Sequence, residues 1–259
     1  MAEAWQMKLS SGAGRGARWR PGGGTAAVLA VVFWQAAALG LGHDALAGPV
    51  PATQRLIAIL GGARYRPDLL STLGSFLLAL AISWGGGLLL AAWLGTRRFA
   101  GEVAEPLLVS FYGIPKVTLY PIVLLICGLG MGSKVTFGVL HGIVPVVLVG
   151  MAAIRNLKPV YARTARAMSL SRRDTLLHVL LPAIAPQLLT GMRVGLSLTL
   201  LGTLIGEMFG GEHGVGYMLV RAINLADNDT IMALALLLMV FAITANWLLG
   251  LAARRFTGV

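Results

Sequence analysis

The stretch VTFGVLHGIVPVVLVGMAAI, residues 135–154, decides the class of this protein. It contains no lysine, arginine, aspartate or glutamate, and a helix of about 20 apolar residues spans the roughly 30 Å hydrocarbon core of a bilayer. The rest of the chain has the same character, because 57% of its 259 residues are hydrophobic and only 12% are charged. In soluble domains about a quarter of the residues are charged. The sequence therefore predicts an all-α integral membrane protein.

Five other apolar runs are long enough to cross a membrane. The first, TAAVLAVVFWQAAALGL, is not followed by a convincing small-residue cleavage site, so we interpret it as an uncleaved span rather than a signal peptide. In the third span, Pro115 and Pro121 are expected to break or kink the helix. About six transmembrane helices are therefore expected, at residues 25–41, 70–95, 107–127, 135–154, 187–208 and 230–252.

The distribution of basic residues predicts the orientation. We expect one membrane domain, residues 25–259, preceded by a flexible, basic and glycine-rich cytoplasmic tail at residues 1–24. With the N-terminus in the cytoplasm, the inner loops contain 14 lysines and arginines and the outer loops 5, in agreement with the positive-inside rule. Because these residues lie between apolar runs and are not interleaved with aromatic residues, the net charge of +11 does not indicate nucleic-acid binding.

A basic segment, residues 158–182, separates two of the spans and includes ARTARAMSLSRRDTLLHVLLP. Apolar residues recur at helical spacing in its first half. Ser171 followed three residues later by Asp174 is a capping-box pattern, so a second helix is expected to begin after Ser171 and to end at Pro182. From spacing alone, an amphipathic helix lying on anionic lipid is an alternative interpretation.

The basic segment resembles the loop before the fifth span in permease subunits of ATP-binding-cassette importers. That family's pattern is Glu-Ala-Ala, three residues, Gly, nine residues, Ile, one residue and Leu-Pro. This chain keeps every interval, with Arg163 in place of the acidic residue and Ser169 in place of the glycine. IPKVTLYPIVLLICGLGMGSK (114–134) and GEMFGGEHGVGYML (206–219) are similar to stretches of the nitrate/sulfonate/taurine branch. Ser169 either adopts the left-handed conformation that glycine favours, or the bend has another geometry.

The resemblance implies a type I importer permease fold and a subunit that forms the pathway for a small anionic or organic solute, such as nitrate, a sulfonate or taurine. It implies the bacterial inner membrane, with both termini cytoplasmic. Its expected partners are cytoplasmic ATPase subunits, a periplasmic or lipid-anchored binding protein, and a second permease copy in a homodimer. The chain is then not an enzyme, because a separate subunit hydrolyses ATP. The residues expected to contact the ATPase are Arg163, Thr164, Ala165, Met168, Ser169, Leu170, Ser171, Val179, Leu181 and Pro182.

Ionisable residues within spans are costly in lipid, which makes Lys116, Arg193 and Glu207 candidates for the substrate pathway. For Arg193, extension toward the cytoplasmic boundary or packing is favoured over a place in the pathway. The four histidines form no ligand spacing with Cys127, so neither a metal site nor a cofactor is expected. No catalytic residue is expected, and the glycine-rich GLGMGSK lacks the residue order of a phosphate-binding loop.

Two hypotheses from other classes remain open. A self-contained secondary transporter or channel usually has carboxylates or a proton relay within the membrane, and these are scarce here. A membrane scaffold has no pathway. The glycine-rich GGEHGVG after the fifth span is either a re-entrant turn or a contact for a binding protein. Co-purification of a soluble ATPase would separate the importer from both alternatives.

Overall fold

The computed structural model describes the backbone of residues 23–42 and 45–257, and side chains as far as Leu251. The predicted tail, residues 1–24, therefore lies outside the described residues except for its last two glycines. The side chains of Arg254 and Arg255, which contribute to the predicted orientation, also lie outside them. Among the described residues, those up to Val50 form one compact unit and those from Pro51 form a second.

The regular structure in the described ranges is helical. Short helical stretches lie between the longer helices. They are the 3-10 turns Ala63–Tyr65 and Lys116–Leu119, the helical turn Arg172–Asp174 and the π-helical stretch Thr175–Leu180. The longer helices are α1 (Gly23–Leu41), α2 (Pro49–Gly61), α3 (Arg66–Thr96), α4 (Arg98–Gly113), α5 (Tyr120–Cys127), α6 (Met131–Arg155), α7 (Pro159–Ala167), α8 (Leu181–Gly210), α9 (Val215–Asn224) and α10 (Asn228–Thr257).

The predicted spans agree with this architecture. Within the described residues, five helical runs are long and apolar enough to cross a membrane, and they contain α1, α3, α6, α8 and α10. A sixth candidate is discontinuous: α4 and the stretch Lys116–Cys127 are long and apolar enough only together, and they meet at a bend of 88°, as in a broken span or a re-entrant loop. Pro115, at the break, has an extended backbone (ψ 91°). Five or six candidate spans agree with the prediction of about six. The predicted break is present at Pro115, whereas Pro121 lies in the first turn of α5.

Glycines allow α6 to pack closely against α3 and α8 in the second unit. A β-carbon on Gly142 of α6 would collide with the Thr199 hydroxyl of α8, and one on Gly138 would lie 2.6 Å from Thr203 Oγ1. Gly87 of α3 meets α6 in the same way. Small residues let membrane helices approach closely enough for extensive van der Waals contact, which compensates for the missing hydrophobic driving force in lipid. These three glycines therefore serve helix packing.

The prediction that a helix ends at Pro182 is wrong. Residues Arg172–Gly210 form one continuous helical run of 39 residues. Pro182 lies in the first turn of α8, directly after the π-helical stretch. At that position a proline is tolerated, because its missing N–H and fixed φ match the start of an α-helical segment, and the wider π-helical turn changes the hydrogen-bond register before it. The basic segment is thereby joined directly to α8.

Candidate functional site

Glu207, in the last turn of α8, is fully buried (0% exposed) at one end of the second unit. The Thr72 hydroxyl of α3 donates to its carboxylate (2.8 Å to Oε2), as does the backbone N–H of Gly216 (3.0 Å). Lys134 Nζ of α6 lies 3.8 Å from Oε1. A buried carboxylate is costly unless it is paired and hydrogen-bonded, and here three other helices supply the partners. We call Asp68, Ser71, Thr72, Lys134 and Glu207 the Glu207 cluster.

The Glu207 cluster also fixes the glycine-rich loop between α8 and α9. The N–H of Gly214 donates to Asp68 Oδ1 (3.0 Å), and that of Val215 donates to Thr72 Oγ1 (2.7 Å). Lys134 donates to Ser71 Oγ (3.0 Å) and to the carbonyl of His213. Acceptors at a helix N-terminus satisfy its free N–H groups and interact favourably with its partial positive charge. The start of α9 is therefore held by side chains of α3 and α8.

Sequence reasoning identified only one member of this cluster. Lys134 is one of the 5 basic residues counted for the outer loops, but it lies in the first turn of α6 with 4% of its surface exposed. Its ammonium group is buried because Glu207 and two oxygen acceptors surround it. Asp68 and Thr72 are four residues apart at the start of a span, which puts both on one helix face. This spacing is the sequence feature from which the cluster could have been predicted.

A cleft of about 420 Å³ opens beside the cluster. At its rim, Arg55 Nη2 lies 3.3 Å from Asp227 Oδ2, and the Thr230 hydroxyl donates to the same oxygen (2.7 Å). Partial burial alone would raise the pKa of Asp227, but the hydrogen bonds of Thr230 and the charge of Arg55 outweigh it and hold the pKa below its ordinary value. The lining residues include Arg55, Arg64, Asp68, His213, Tyr217 and Arg221.

Lys116 lies at the break of the discontinuous span and is 7% exposed. Its Nζ donates to the carbonyl of Tyr112 (3.2 Å) and lies 5.0 Å and 5.7 Å from the ring centroids of Tyr112 and Phe111. Among the described residues, no carboxylate forms an ion pair with it. Interrupted helices form substrate sites in several classes of transporter, so Lys116 keeps its place as a pathway candidate.

Arg193, in α8, is half-buried and lies against Gly250 of α10. A β-carbon on Gly250 would be 2.7 Å from Nη2, while Nε is buried without a hydrogen-bond partner. Glu207 is occupied by its own cluster. The described contacts therefore do not bring the three pathway candidates, Lys116, Arg193 and Glu207, together into one site.

The basic segment forms a helical hairpin at the opposite end of α8. After α7, Ser169 has φ 53°, which is the left-handed conformation. The N–H of Leu170 donates to the carbonyl of Ala165 (3.1 Å), closing the bend. Ser171 Oγ accepts from the N–H of Asp174 (3.1 Å) and caps the next helical turn. The predicted bend and the predicted helix start after Ser171 are confirmed, and of the two geometries considered for Ser169 the left-handed one is present.

Most residues expected to contact a partner are exposed on this hairpin. Ala165 is the exception, since only 1% of its surface is exposed. Its side chain is covered within the chain, where α7 contacts the stretch Thr175–Leu180. Leu170 and Val179 are half-buried. The exposed positions are Arg163, Thr164, Met168, Ser169, Ser171, Leu181 and Pro182.

No group of three or more metal-ligating side chains occurs among the described residues. The described contacts at both ends are those of helix packing, capping and surface charge.

Comparison with known proteins identifies relatives along most of the chain. The family model described as binding-protein-dependent transport system inner membrane component matches residues 69–258. The taurine transport system permease protein TauC of Escherichia coli (strain K12) is 26% identical over 81% of this chain and 78% of its own length. A probable ABC transporter permease protein of Haemophilus influenzae is 30% identical (69% and 74%). The nitrate import permease protein NrtB of Synechococcus elongatus is 24% identical (75% and 73%).

Proposed function

This chain belongs to the inner membrane components of binding-protein-dependent transport systems, and from that premise we propose that it forms the translocation pathway of an importer and couples it to a separate ATPase. It is an ABC transport system permease with the type I permease fold. The family consists of transporter permeases rather than enzymes. In the proposed assembly, ATP hydrolysis belongs to a cytoplasmic partner, and this chain needs no cofactor.

The observation that carries the coupling proposal is the exposed hairpin joined directly to a membrane-spanning helix. The run Arg172–Gly210 has 39 residues, which is about 58 Å at 1.5 Å per residue. It begins in the basic segment and ends in the Glu207 cluster, which holds the start of α9. A displacement of the hairpin by a partner is therefore passed along one continuous helix to the opposite end. Coupling requires that each ATPase state favours a different permease state.

We place the basic segment and both termini in the cytoplasm of a bacterial cell, with the chain in the inner membrane. The excess of basic residues at this end supports the assignment. A cysteine in place of Arg172 should resist an impermeant thiol reagent in intact cells, whereas one in place of Glu212 should react. Both residues are exposed, and the native Cys127 is replaced by serine in each test. Labelling of position 172 in intact cells would contradict this orientation.

The remaining partners follow from the proposed assembly. A periplasmic or lipid-anchored binding protein delivers substrate at the Glu207 end, and a second copy of this chain completes the pathway. The substrate is a small anionic or organic solute, a class that includes taurine, other sulfonates and nitrate. The uncompensated positive charge of Lys116 at the break of the span supports an anionic substrate, because an anion supplies the missing counter-charge.

Retention of an ATPase tests the coupling role. Met168, at the tip of the hairpin, and Met131, at the opposite end, are both exposed, which makes them a matched pair. Met168→Glu should lose the ATPase during purification of the full chain in mild detergent and should lose uptake, whereas Met131→Glu should keep the ATPase. A secondary transporter or scaffold would bring down no ATPase with the unaltered chain. Equal retention by the two variants would remove the hairpin as the coupling element.

A further inference from the structure

Four arginines of the basic segment have no counter-charge within the described part of the chain. Arg163, Arg166, Arg172 and Arg173 are exposed, and no ion pair involves them. The one acidic residue of the segment, Asp174, accepts a hydrogen bond from the Ser171 hydroxyl (2.6 Å) and lies 3.6 Å from His178. The hairpin therefore has a strongly positive surface.

Two other arginines at the same end of the bundle do have counter-charges. Arg98 Nε lies 2.9 Å from Glu102 Oε1, and Arg155 Nη1 lies 2.9 Å from Glu105 Oε2. Membrane topology depends on the number of lysines and arginines near the spans and hardly on neighbouring acidic residues. Orientation in the membrane is thus compatible with paired arginines, and it does not explain why those of the hairpin are unpaired.

Docking changes the energetics of these guanidinium groups. In water they are well solvated, but a groove that encloses the hairpin removes that water, and a buried cation without a counter-ion is strongly disfavoured. Resting on the proposed coupling role, we infer that the ATPase groove that receives this hairpin is acidic. Its carboxylates accept hydrogen bonds from the hairpin arginines, and this charge complementarity selects the partner.

The exposed surface of the hairpin is apolar as well as basic. Val160, Tyr161 and Met168 are exposed beside Arg163, whereas Ala165 faces the chain itself. A helix that lies in the membrane interface also combines an apolar face with basic residues, so the apolar residues alone do not separate a lipid surface from a protein groove. The two occupants are therefore distinguished by experiment.

Arg163 gives the inference its specificity. It stands where the pattern of the family has an acidic residue, so the sign of the charge at this position is inverted. A groove that complements an acidic side chain would place positive charge against Arg163, which is repulsive. The partner of this chain therefore carries acidic residues at the point that faces Arg163, and an ATPase that fits a glutamate there binds this permease poorly.

The test compares charge reversals in the full chain, purified in mild detergent with the ATPase that co-purifies with the unaltered protein. Arg163→Glu and Arg172→Glu should each weaken ATPase binding by about tenfold or more, the equivalent of one charge-assisted hydrogen bond. Arg98→Glu, at the same end but outside the hairpin, makes the same change of charge and should leave binding unchanged. Raising the salt concentration should release ATPase from the unaltered chain but not alter its membrane abundance.

A reciprocal change identifies the partner surface. Replacing groove carboxylates of the ATPase by lysine should restore binding of Arg163→Glu, while weakening binding of the unaltered permease. Unchanged binding of both hairpin variants, together with indifference to salt, would overturn the inference. It would leave the proposed function intact, since the ATPase would still be present. Absence of any ATPase from the unaltered chain would instead overturn the proposed function.

A fluorescent probe tests the lipid alternative. Thr164→Cys, in a Cys127→Ser background, carries an environment-sensitive fluorophore and is reconstituted into phosphatidylcholine vesicles with or without anionic phosphatidylglycerol. We expect the same emission from both preparations, and a shift only when the ATPase is added. A blue shift caused by phosphatidylglycerol alone, reversed by Arg163→Glu, would assign the arginines to lipid headgroups and overturn the inference.

Discussion

The Glu207 cluster and the basic hairpin lie at opposite ends of the same 39-residue helical run, and their charged groups have opposite surroundings. In the cluster, the carboxylate of Glu207 and the ammonium group of Lys134 are buried, paired and hydrogen-bonded to backbone groups of the α8–α9 loop. In the hairpin, the arginines are exposed and without counter-charge in the described residues. The first arrangement is complete within the chain, whereas the second lacks acceptors.

This difference separates two uses of charge in a membrane protein. Buried polar groups that satisfy one another specify one local structure, because any rearrangement leaves a group unsatisfied. Exposed cations contribute little to folding, but they attract and orient a partner. Substitutions in the cluster should therefore change stability, and substitutions in the hairpin should change association. The predictions below test that division, from the largest expected effect to the smallest.

Glu207→Ala should cause the largest loss of stability. It leaves Lys134 buried without its counter-charge and the N–H of Gly216 without its acceptor, and breaking a buried pair costs about 3–5 kcal/mol. The measurement is the midpoint of thermal unfolding in detergent together with membrane abundance. Glu212→Ala, an exposed acidic residue at the same end, is the control. Arg166→Ala in the hairpin should be within about 0.5 kcal/mol of the unaltered protein, and a large loss there would contradict the comparison.

Thr72→Val should destabilise the cluster by about 1–3 kcal/mol, since it removes the hydroxyl that donates to Glu207 and accepts from the N–H of Val215. The two side chains have similar volume, so packing is little changed. Thr72→Ser keeps the hydroxyl and should recover most of the loss. Hydrogen exchange at the start of α9 is the most direct readout. Unchanged protection of those amides in Thr72→Val would show that the loop is held by other contacts.

Among the described residues, two other than glycine have a left-handed backbone, Ser169 in the hairpin (φ 53°) and Ala226 beyond α9 (φ 51°). This conformation costs a residue with a side chain about 1–2 kcal/mol. Glycine avoids that cost, but part of the gain is offset because glycine raises the conformational entropy of the unfolded chain. Ser169→Gly and Ala226→Gly should therefore be neutral or stabilising by up to about 1 kcal/mol. Ser169→Val should be destabilising, because a β-branched residue tolerates positive φ poorly. Similar unfolding midpoints for Ser169→Gly and Ser169→Val would show that the bend relaxes.

The smallest effect concerns pH and the Arg55–Asp227 pair. Because the pKa of Asp227 is lowered in the folded state, its contribution is present above the ordinary aspartate pKa of about 3.9 and is lost as the pH falls through the lowered value. Both side chains are partly exposed, so solvent screening keeps the contribution below about 1 kcal/mol. Asp227→Asn should remove this part of the acid sensitivity. An unchanged pH dependence of the unfolding midpoint would assign it to other groups.

Local sequence signals were sufficient for the spans, the break and the cap. An apolar run such as residues 135–154 has one stable solution in lipid, a helix with all its backbone groups satisfied. Proline favours an interruption, which is present at Pro115, whereas α6 continues through Pro145. Ser171 caps the turn at Asp174 through a contact three residues away. These features depend on neighbouring residues in the chain, so the sequence alone predicts them.

Contacts between distant residues had to come from the tertiary structure. By itself, the sequence determined the membrane class, about six spans, the interrupted helix and the position of the basic segment. Only the folded chain decided that Lys134 is buried beside Glu207, that Ala165 faces inward, and that α8 continues through Pro182 into the hairpin. The reason is that burial and pairing depend on which helices meet, and in a bundle this is set by glycine contacts between α3, α6 and α8 that are far apart in the chain.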